Sequence, residues 1–195
     1  SEAGELNYAI ATFGRETSAE TARFAYGAGP GRPSPYVVTQ LSGAYFETPD
    51  FLDNQHRVED AAGADAFLAR LEAFAGVLDG ETDKVREDAG LGVIPPDFII
   101  DRMLPQIRTL RDTNAADLAM ERSLARKAAA LNLSGYDARA PAIVDGKVKP
   151  ALGRQIAALE AIRPQAVHDA GAWRLPDGEA FYANGLKSNT TTTLS

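Results

Sequence analysis

The imidazoles are few. His56 and His168 are the only two histidines in the chain, and imidazole is the side chain best suited to hold a metal or move a proton near neutral pH. A helical zinc site needs two of them four residues apart, with a third ligand and a carboxylate base nearby, and no such pair exists here. His56 lies close in sequence to Asp50, Asp53 and Glu59, so a short helix could gather them into a metal or proton-transfer cluster. A mixed acidic and polar neighbourhood is also the commonest setting of a solvated surface His, and that reading outweighs the cluster. His168, in QAVHDAGAW, precedes a loop and reads as a side chain bonded to the last carbonyls of a helix. On these grounds the chain has no catalytic residue and no metal ligand to assign.

Other chemistries fare no better. Ser42, in Leu41-Ser42-Gly43, lacks the Gly-x-Ser-x-Gly elbow that presents a nucleophile. The run GAGPGRPSP has no Lys-Ser/Thr ending, and its prolines delete amides that a phosphate cradle requires. The carboxylate pairs Glu81 and Asp83, and Glu87 and Asp88, fall on what reads as the solvated polar side of a strong helix. The absence of cysteine excludes disulfides, thiolate catalysis and Cys-ligated zinc.

Composition sets the wider frame. The 195 residues, 45% hydrophobic and 24% charged, suit a chain that buries a core of one ordinary domain. With 27 acidic against 20 basic residues and a formal charge of -7, counterion release offers no gain, and nucleic acid is not an expected partner. No apolar run approaches the roughly 20 residues of a membrane span. The opening SEAGELNYAI lacks the basic and apolar regions of an export signal, which fits a cytoplasmic or an already processed N-terminus. The terminal SNTTTTLS resembles the start of a helix rather than the end of one, so a fragment of a longer polypeptide is expected.

Helices must position whatever these residues do. Leu6, Ile10, Phe13 and Phe24 mark an amphipathic helix over 5–24, and GAGPGRPSP reads as a loop. YVVTQLSGAYF, with its β-branched and aromatic residues, predicts a short extended or β segment near 36–46. Thr48-Pro49-Asp50 signals the start of a short helix over FLDNQ. Phe67, Leu71, Phe74, Leu78 and Val85 recur at spacings of three, four and seven, which predicts a long helix over 64–90. Gly92 and Pro95-Pro96 end it, and a second helix opens at Asp97, kinked or split by Pro105. Further amphipathic helices are expected over 116–131 and 147–163, with Ser134-Gly135 and Pro141 as breakers. Pro176-Asp177-Gly178 predicts a turn, and EAFYANGLKS a helix with Phe181 and Leu186 on one side. The fold class is mainly α: amphipathic helices in an array with one short extended element.

Four stretches together resemble the bacterial proteins grouped as domain of unknown function 885. They are LNYAIATFGRETSAETARFAYG (6–27), SPYVVTQLSGAYFETPDFLDNQH (34–56), ADAFLARLEAFAGVLDGETDKVREDAGLGVIPPDFIIDRML (64–104) and WRLPDGEAFYANGLKSNTTTTLS (173–195). Only helical character agrees between about 112 and 165. The resemblance implies the N-terminal part of a larger zincin-like helical fold, in which residues 1–195 are one portion of a single domain. It also implies zinc-dependent, peptidase-like hydrolysis in the full-length protein. The family's His-Glu run and Pro-Gly-His-His motif match nothing in this chain, so zinc and its catalytic portion are expected downstream.

On that reading this portion forms one wall of a substrate cleft. Gln40, Ser42 and Tyr45, in the extended segment at the edge of that cleft, would bind an extended peptide, with Tyr182 and Asn184 facing the same groove. The two tyrosines are otherwise core aromatics with a bonded hydroxyl. The expected partners are the remainder of the polypeptide, a peptide substrate and, through uncovered apolar faces, a second copy. A periplasmic or secreted location fits the resemblance better than the cytoplasm. The alternative is a helical scaffold or peptide-binding module without chemistry.

Overall fold

A computed structural model describes residues 1–31 and 33–191. Arg32 of the Gly/Pro-rich run and residues 192–195 of the Thr run lie outside the described residues. Among the described residues eight α-helices form: α1 (Glu2–Thr21), α2 (Ala44–Asp50), α3 (Ala61–Gly90), α4 (Asp97–Asp112), α5 (Ala119–Ala130), α6 (Tyr136–Ile143), α7 (Lys149–Ile162) and α8 (Gly178–Thr190). The π turns Phe51–Gln55 and Val144–Val148 continue α2 and join α6 to α7. The architecture is mainly α, as the periodicity predicts, with no sheet among the described residues. None of the described helices is long and apolar enough to cross a membrane.

The long helix α3 organises the rest. Asp60 starts it by accepting the Gly63 N–H at 2.8 Å, which satisfies one of the amides a helix start leaves free. Phe67, Leu71, Phe74 and Leu78 are buried along one stripe, where they meet Leu152, Ile156 and Leu159 of α7 in the main core. Burying each such side chain stabilises by roughly 1.5–3 kcal/mol. α4 adds Ile100, Met103 and Ile107 to the same core and packs on α7.

Ion pairs on the surface reveal how α3 meets its partner. Asp65 pairs with Arg139 at 3.3 Å, Glu72 with Lys147 at 3.1 Å, and Asp79 with Arg154 in a two-bond fork at 2.8 Å. The numbers rise together on both sides, so α3 runs parallel to the continuous rod made by α6, the second π turn and α7. Steps along α3 are seven and seven residues, the spacing that keeps one face toward a neighbouring helix. Steps along the rod are eight and seven, and the additional residue falls in the π turn. That turn lies where Pro150 has no N–H to donate and its ring crowds the carbonyl four residues back.

α1 and α8 form a smaller unit at one end. The Phe24 and Phe181 rings meet edge to face at 5.0 Å, Asn184 donates to the Thr21 hydroxyl, and Lys187 pairs with Glu20. Numbers fall on one side as they rise on the other, so the two helices are antiparallel. A second apolar cluster of Tyr26, Val93, Leu175 and Phe181 roots this unit. The Gly/Pro-rich loop closes on itself through Ala28 N–H to the Ser34 carbonyl at 3.0 Å. Gly27 has φ +88°, and a Cβ there would lie 2.4 Å from the Ser34 carbonyl oxygen, so only glycine fits. Asp88 of α3 holds the loop from below by accepting the Gly27 N–H at 3.0 Å.

Four local expectations are corrected. The segment near 36–46 is no strand: Thr39 and Ser42 form an isolated bridge, and the chain is helical from Ala44. The helix expected to start at Thr48-Pro49 therefore begins earlier, with Pro49 in its interior. α4 passes unbroken through Pro105, and α6 contains Pro141. Pro105 and Asp101 both face solvent, where water serves the carbonyl left without a donor, and burial of Ile100, Met103 and Ile107 outweighs the lost bond.

Candidate functional site

The turn before α2 gathers three of the predicted binding residues. Thr39 and Ser42 exchange backbone bonds, and their hydroxyls meet at 2.8 Å. Tyr45 is buried, and its hydroxyl lies 2.7 Å from the Thr39 carbonyl and 2.8 Å from Gln106 Oε1. One phenolic hydrogen cannot serve two acceptors, so it goes to the carbonyl, and the Gln106 amide turns its NH2 to the phenol oxygen. Burial, with the Glu81 charge adding, holds the Tyr45 phenol well above its ordinary range, so it stays a neutral donor. Gln40 carries a buried Oε1 with no partner among the described residues. Ser42 and Tyr45 thus fasten the turn to itself and to α4.

Beneath this turn sits a residue that the sequence reading placed in solvent. Glu81 of α3 accepts the Ala44 N–H on Oε1 at 2.8 Å and is 3.3 Å from Gln155 Nε2 on Oε2. Gly43, at the start of α2, has no side chain to cap that amide, so Glu81 caps it from another helix. Burial pushes the Glu81 carboxyl up to about 7 against the opposing pull of these two donors. On the outer side α2 exposes Phe46 and the π turn after it Phe51, and these with Glu47, Thr48, Asp50 and Gln55 line an open recess of about 680 Å3.

His56 is not a solvated surface residue either. It is buried, with Nε2 on the Gly63 carbonyl at 3.0 Å and Nδ1 on the Arg70 guanidinium at 3.0 Å. A carbonyl can only accept and a guanidinium can only donate, so Nε2 carries the proton and Nδ1 the occupied lone pair. Lys127 caps the preceding π turn through the Asp53 and His56 carbonyls, both at 2.9 Å. The imagined cluster with Asp50, Asp53 and Glu59 does not form: the Asp50 carboxylate takes the Asn54 amide, and Glu59 lies by Arg57. His168 does not cap a helix carbonyl; its Nδ1 meets Asp97 at 2.9 Å at the start of α4. Among the described residues no group of three or more His, Asp or Glu could hold a metal ion. With both nitrogens of His56 engaged, these residues do not fit zinc, and no step of metal chemistry runs through them.

Tyr182 and Asn184 lie elsewhere. Tyr182 is exposed and lines an apolar pocket of about 330 Å3 with Pro33, Pro35, Tyr36, Leu175 and Leu186. Asn184, on the other side of α8, is buried against α1. Among the described residues no hydrogen bond joins this pair to Gln40, Ser42 and Tyr45, so the five occupy two places. α1 extends beyond its seam with α8 and leaves Leu6 and Ile10 each 61% exposed. They continue the face that carries Phe13, Thr17 and Thr21, which α8 covers only at its far end.

Three acidic residues were missed for one reason. Glu81 and Asp88 stand three residues after Leu78 and Val85, and Glu121 stands three before Leu124, so each occupies the apolar phase of its helix. Position on the buried stripe was the available signal, and charge alone misled. Asp88 is neutralised by Lys84 at 2.7 Å, whereas neither carboxylate oxygen of Glu121 has a partner among the described residues.

Comparison with known proteins adds a family and a fold. A family model described as bacterial protein of unknown function (DUF885) matches residues 2–195. No curated protein matches. Among solved structures the chain is similar to "the putative lipoprotein from Colwellia psychrerythraea", with a TM-score of 0.77 and 20% identity over 83% of this chain. It spans 28% of that chain's length.

Proposed function

The chain belongs to the DUF885 family of bacterial proteins, and on that premise we propose that it is the N-terminal helical portion of a zinc-dependent, peptidase-like hydrolase. It builds one wall of the substrate cleft, and the zinc ligands belong to the remainder of the polypeptide. The observation that carries this reading is the uncovered stripe of Leu6 and Ile10, which runs on from the α1–α8 seam. An isolated soluble unit gains nothing by holding such a stripe in water. A structurally similar chain about three times as long has ample polypeptide to cover it. The apolar pocket at Tyr182 lies beside the same unit and suits a large apolar side chain of a peptide. A periplasmic or secreted location is supported by the lipoprotein description of the neighbour.

The test uses the full-length polypeptide and residues 1–195 side by side. The full-length protein is expected to carry stoichiometric zinc and chelator-sensitive peptide hydrolysis, and to keep its zinc in His56→Gln and His168→Gln variants. Residues 1–195 alone are expected to bind none and to self-associate on a sizing column, with Leu6→Asp and Ile10→Asp restoring the monomer. A full-length protein free of metal and activity would favour the scaffold reading instead.

A further inference from the structure

One side of α8 is built to leave a space rather than to fill one. Tyr182, Gly185, Leu186 and Asn189 stand three and four residues apart, so they share a face of the helix and form one wall of the 330 Å3 pocket. Pro33, Pro35 and Tyr36 form a second wall, and Ala170, Ala172 and Leu175 a third, with the buried Phe181 ring between them.

The two walls opposite α8 are fixed before anything enters. Pro33 and Pro35 each lock a backbone dihedral, and Ser34 between them accepts the Ala28 N–H on its carbonyl at 3.0 Å and donates its hydroxyl to the Tyr36 carbonyl at 2.9 Å. In the third wall the Leu175 carbonyl accepts the Gly178 N–H at 3.0 Å, and the next carbonyl, of Pro176, accepts the Tyr26 hydroxyl at 2.7 Å. A pocket organised in advance loses less freedom when it is occupied.

The lining chooses the occupant. Among the described residues no Asp, Glu, Lys or Arg lines the pocket, so a charged group would give up water there and find no counterion. The polar side chains that line it, Tyr36, Tyr182 and Asn189, are neutral at ordinary pH. Tyr36, Phe181 and Tyr182 surround the space with aromatic rings, which pair well with another ring. Its volume lies at the small end for ligand sites, enough for one ring-bearing side chain but not for a large cofactor.

Gly185 keeps that volume empty. Glycine weakens a helix interior relative to alanine, and no neighbour demands it here, since a Cβ at this position would meet no atom within 4 Å. What a longer side chain at 185 would take is pocket space.

We propose, resting on the peptidase-like reading above, that this pocket sets its substrate class: it receives one uncharged aromatic side chain of a bound peptide, and Gly185 is the residue that determines the size admitted. The test measures binding of labelled peptides Ala-Ala-Xaa-Ala-Ala to the metal-stripped full-length protein by fluorescence polarisation. With Phe at the central position, affinity is expected to be about ten- to a hundredfold above that of the all-Ala peptide, the gain from burying one ring. Central Asp or Lys should give no gain. Gly185→Leu is expected to erase the Phe advantage and Gly185→Ala to keep most of it. Tyr182→Ala, at an exposed position that the core does not need, should reduce the advantage and stands apart from any effect at 185.

Equal binding of the Phe and Ala peptides, the outcome if the protein's own polypeptide fills the pocket, would overturn the proposal. So would a Phe advantage that survives Gly185→Leu, or an Asp or Lys peptide that binds as tightly as the Phe peptide. Binding is read without metal, so the two readings fail separately: aromatic preference in a protein with no hydrolysis leaves the pocket standing, and hydrolysis with no such preference removes the pocket alone.

Discussion

Asn184 of α8 donates its amide to the Thr21 hydroxyl of α1 at 2.8 Å, and Thr21 passes its own hydrogen to the Thr17 carbonyl at 2.9 Å. Both side chains are buried, so this relay is a polar fastening inside an otherwise apolar seam. Asn184→Ala leaves the Thr21 oxygen without its donor, at a cost of about 1–2 kcal/mol. Hydrogen exchange over Thr17–Thr21 is expected to accelerate while the centre of α3 is unchanged. Unaltered protection in α1 would show that the relay does not hold the seam.

The π turn between α6 and α7 makes a second prediction. Gly146 is exposed, so its side contributes nothing to the core, and deleting it removes only the additional residue. Everything beyond would rotate by about 100°, which carries Leu152, Ile156 and Leu159 off the α3 stripe. A loss of several kcal/mol is expected in urea denaturation. Exchanging Arg139, Lys147 and Arg154 for Ala should cost roughly 0–1 kcal/mol each, because these pairs are solvent-exposed. Comparable small losses from both changes would remove the turn's role in setting register.

Glu121 predicts how stability depends on pH. Burial pushes its carboxyl up from 4.5 to about 7, with the Asp145 charge adding. The folded protein therefore holds a proton that the unfolded chain releases earlier, and stability falls as pH rises from 4.5 to 7. Glu121→Gln should stabilise by about 2 kcal/mol at pH 8 and change little at pH 4. Denaturation midpoints of the two proteins at both values provide the check. An equal difference at the two pH values would contradict the assignment.

Periodicity made the frame legible. The stripe of Phe67, Leu71, Phe74 and Leu78 foretold α3 to within three residues of its start, and Pro176-Asp177-Gly178 foretold the turn into α8. Local chemistry failed wherever a distant residue decided. Val37, Val38 and Tyr45 favour a strand by propensity, yet Glu81 caps a helix at Ala44 from another element. His56 could not be placed because its partners, Gly63 and Arg70, belong to a helix that the chain reaches only later. Gln40, Ser42 and Tyr45 were grouped by assuming an extended segment, and Tyr182 and Asn184 by assuming a shared groove; a turn and two separate helices divide the five instead.

Parallel alignment of α3 with the α6–α7 rod has a consequence for how the chain is made. Its pairs join residues 74 and 75 positions apart, so no neighbouring hairpin can nucleate them. Such long-range closure slows folding relative to bundles built from adjacent helices. During synthesis, the apolar stripe of α3 must wait until α4, α5 and most of the rod have emerged from the ribosome. That interval, rather than the finished protein, is when this chain is most in need of a chaperone.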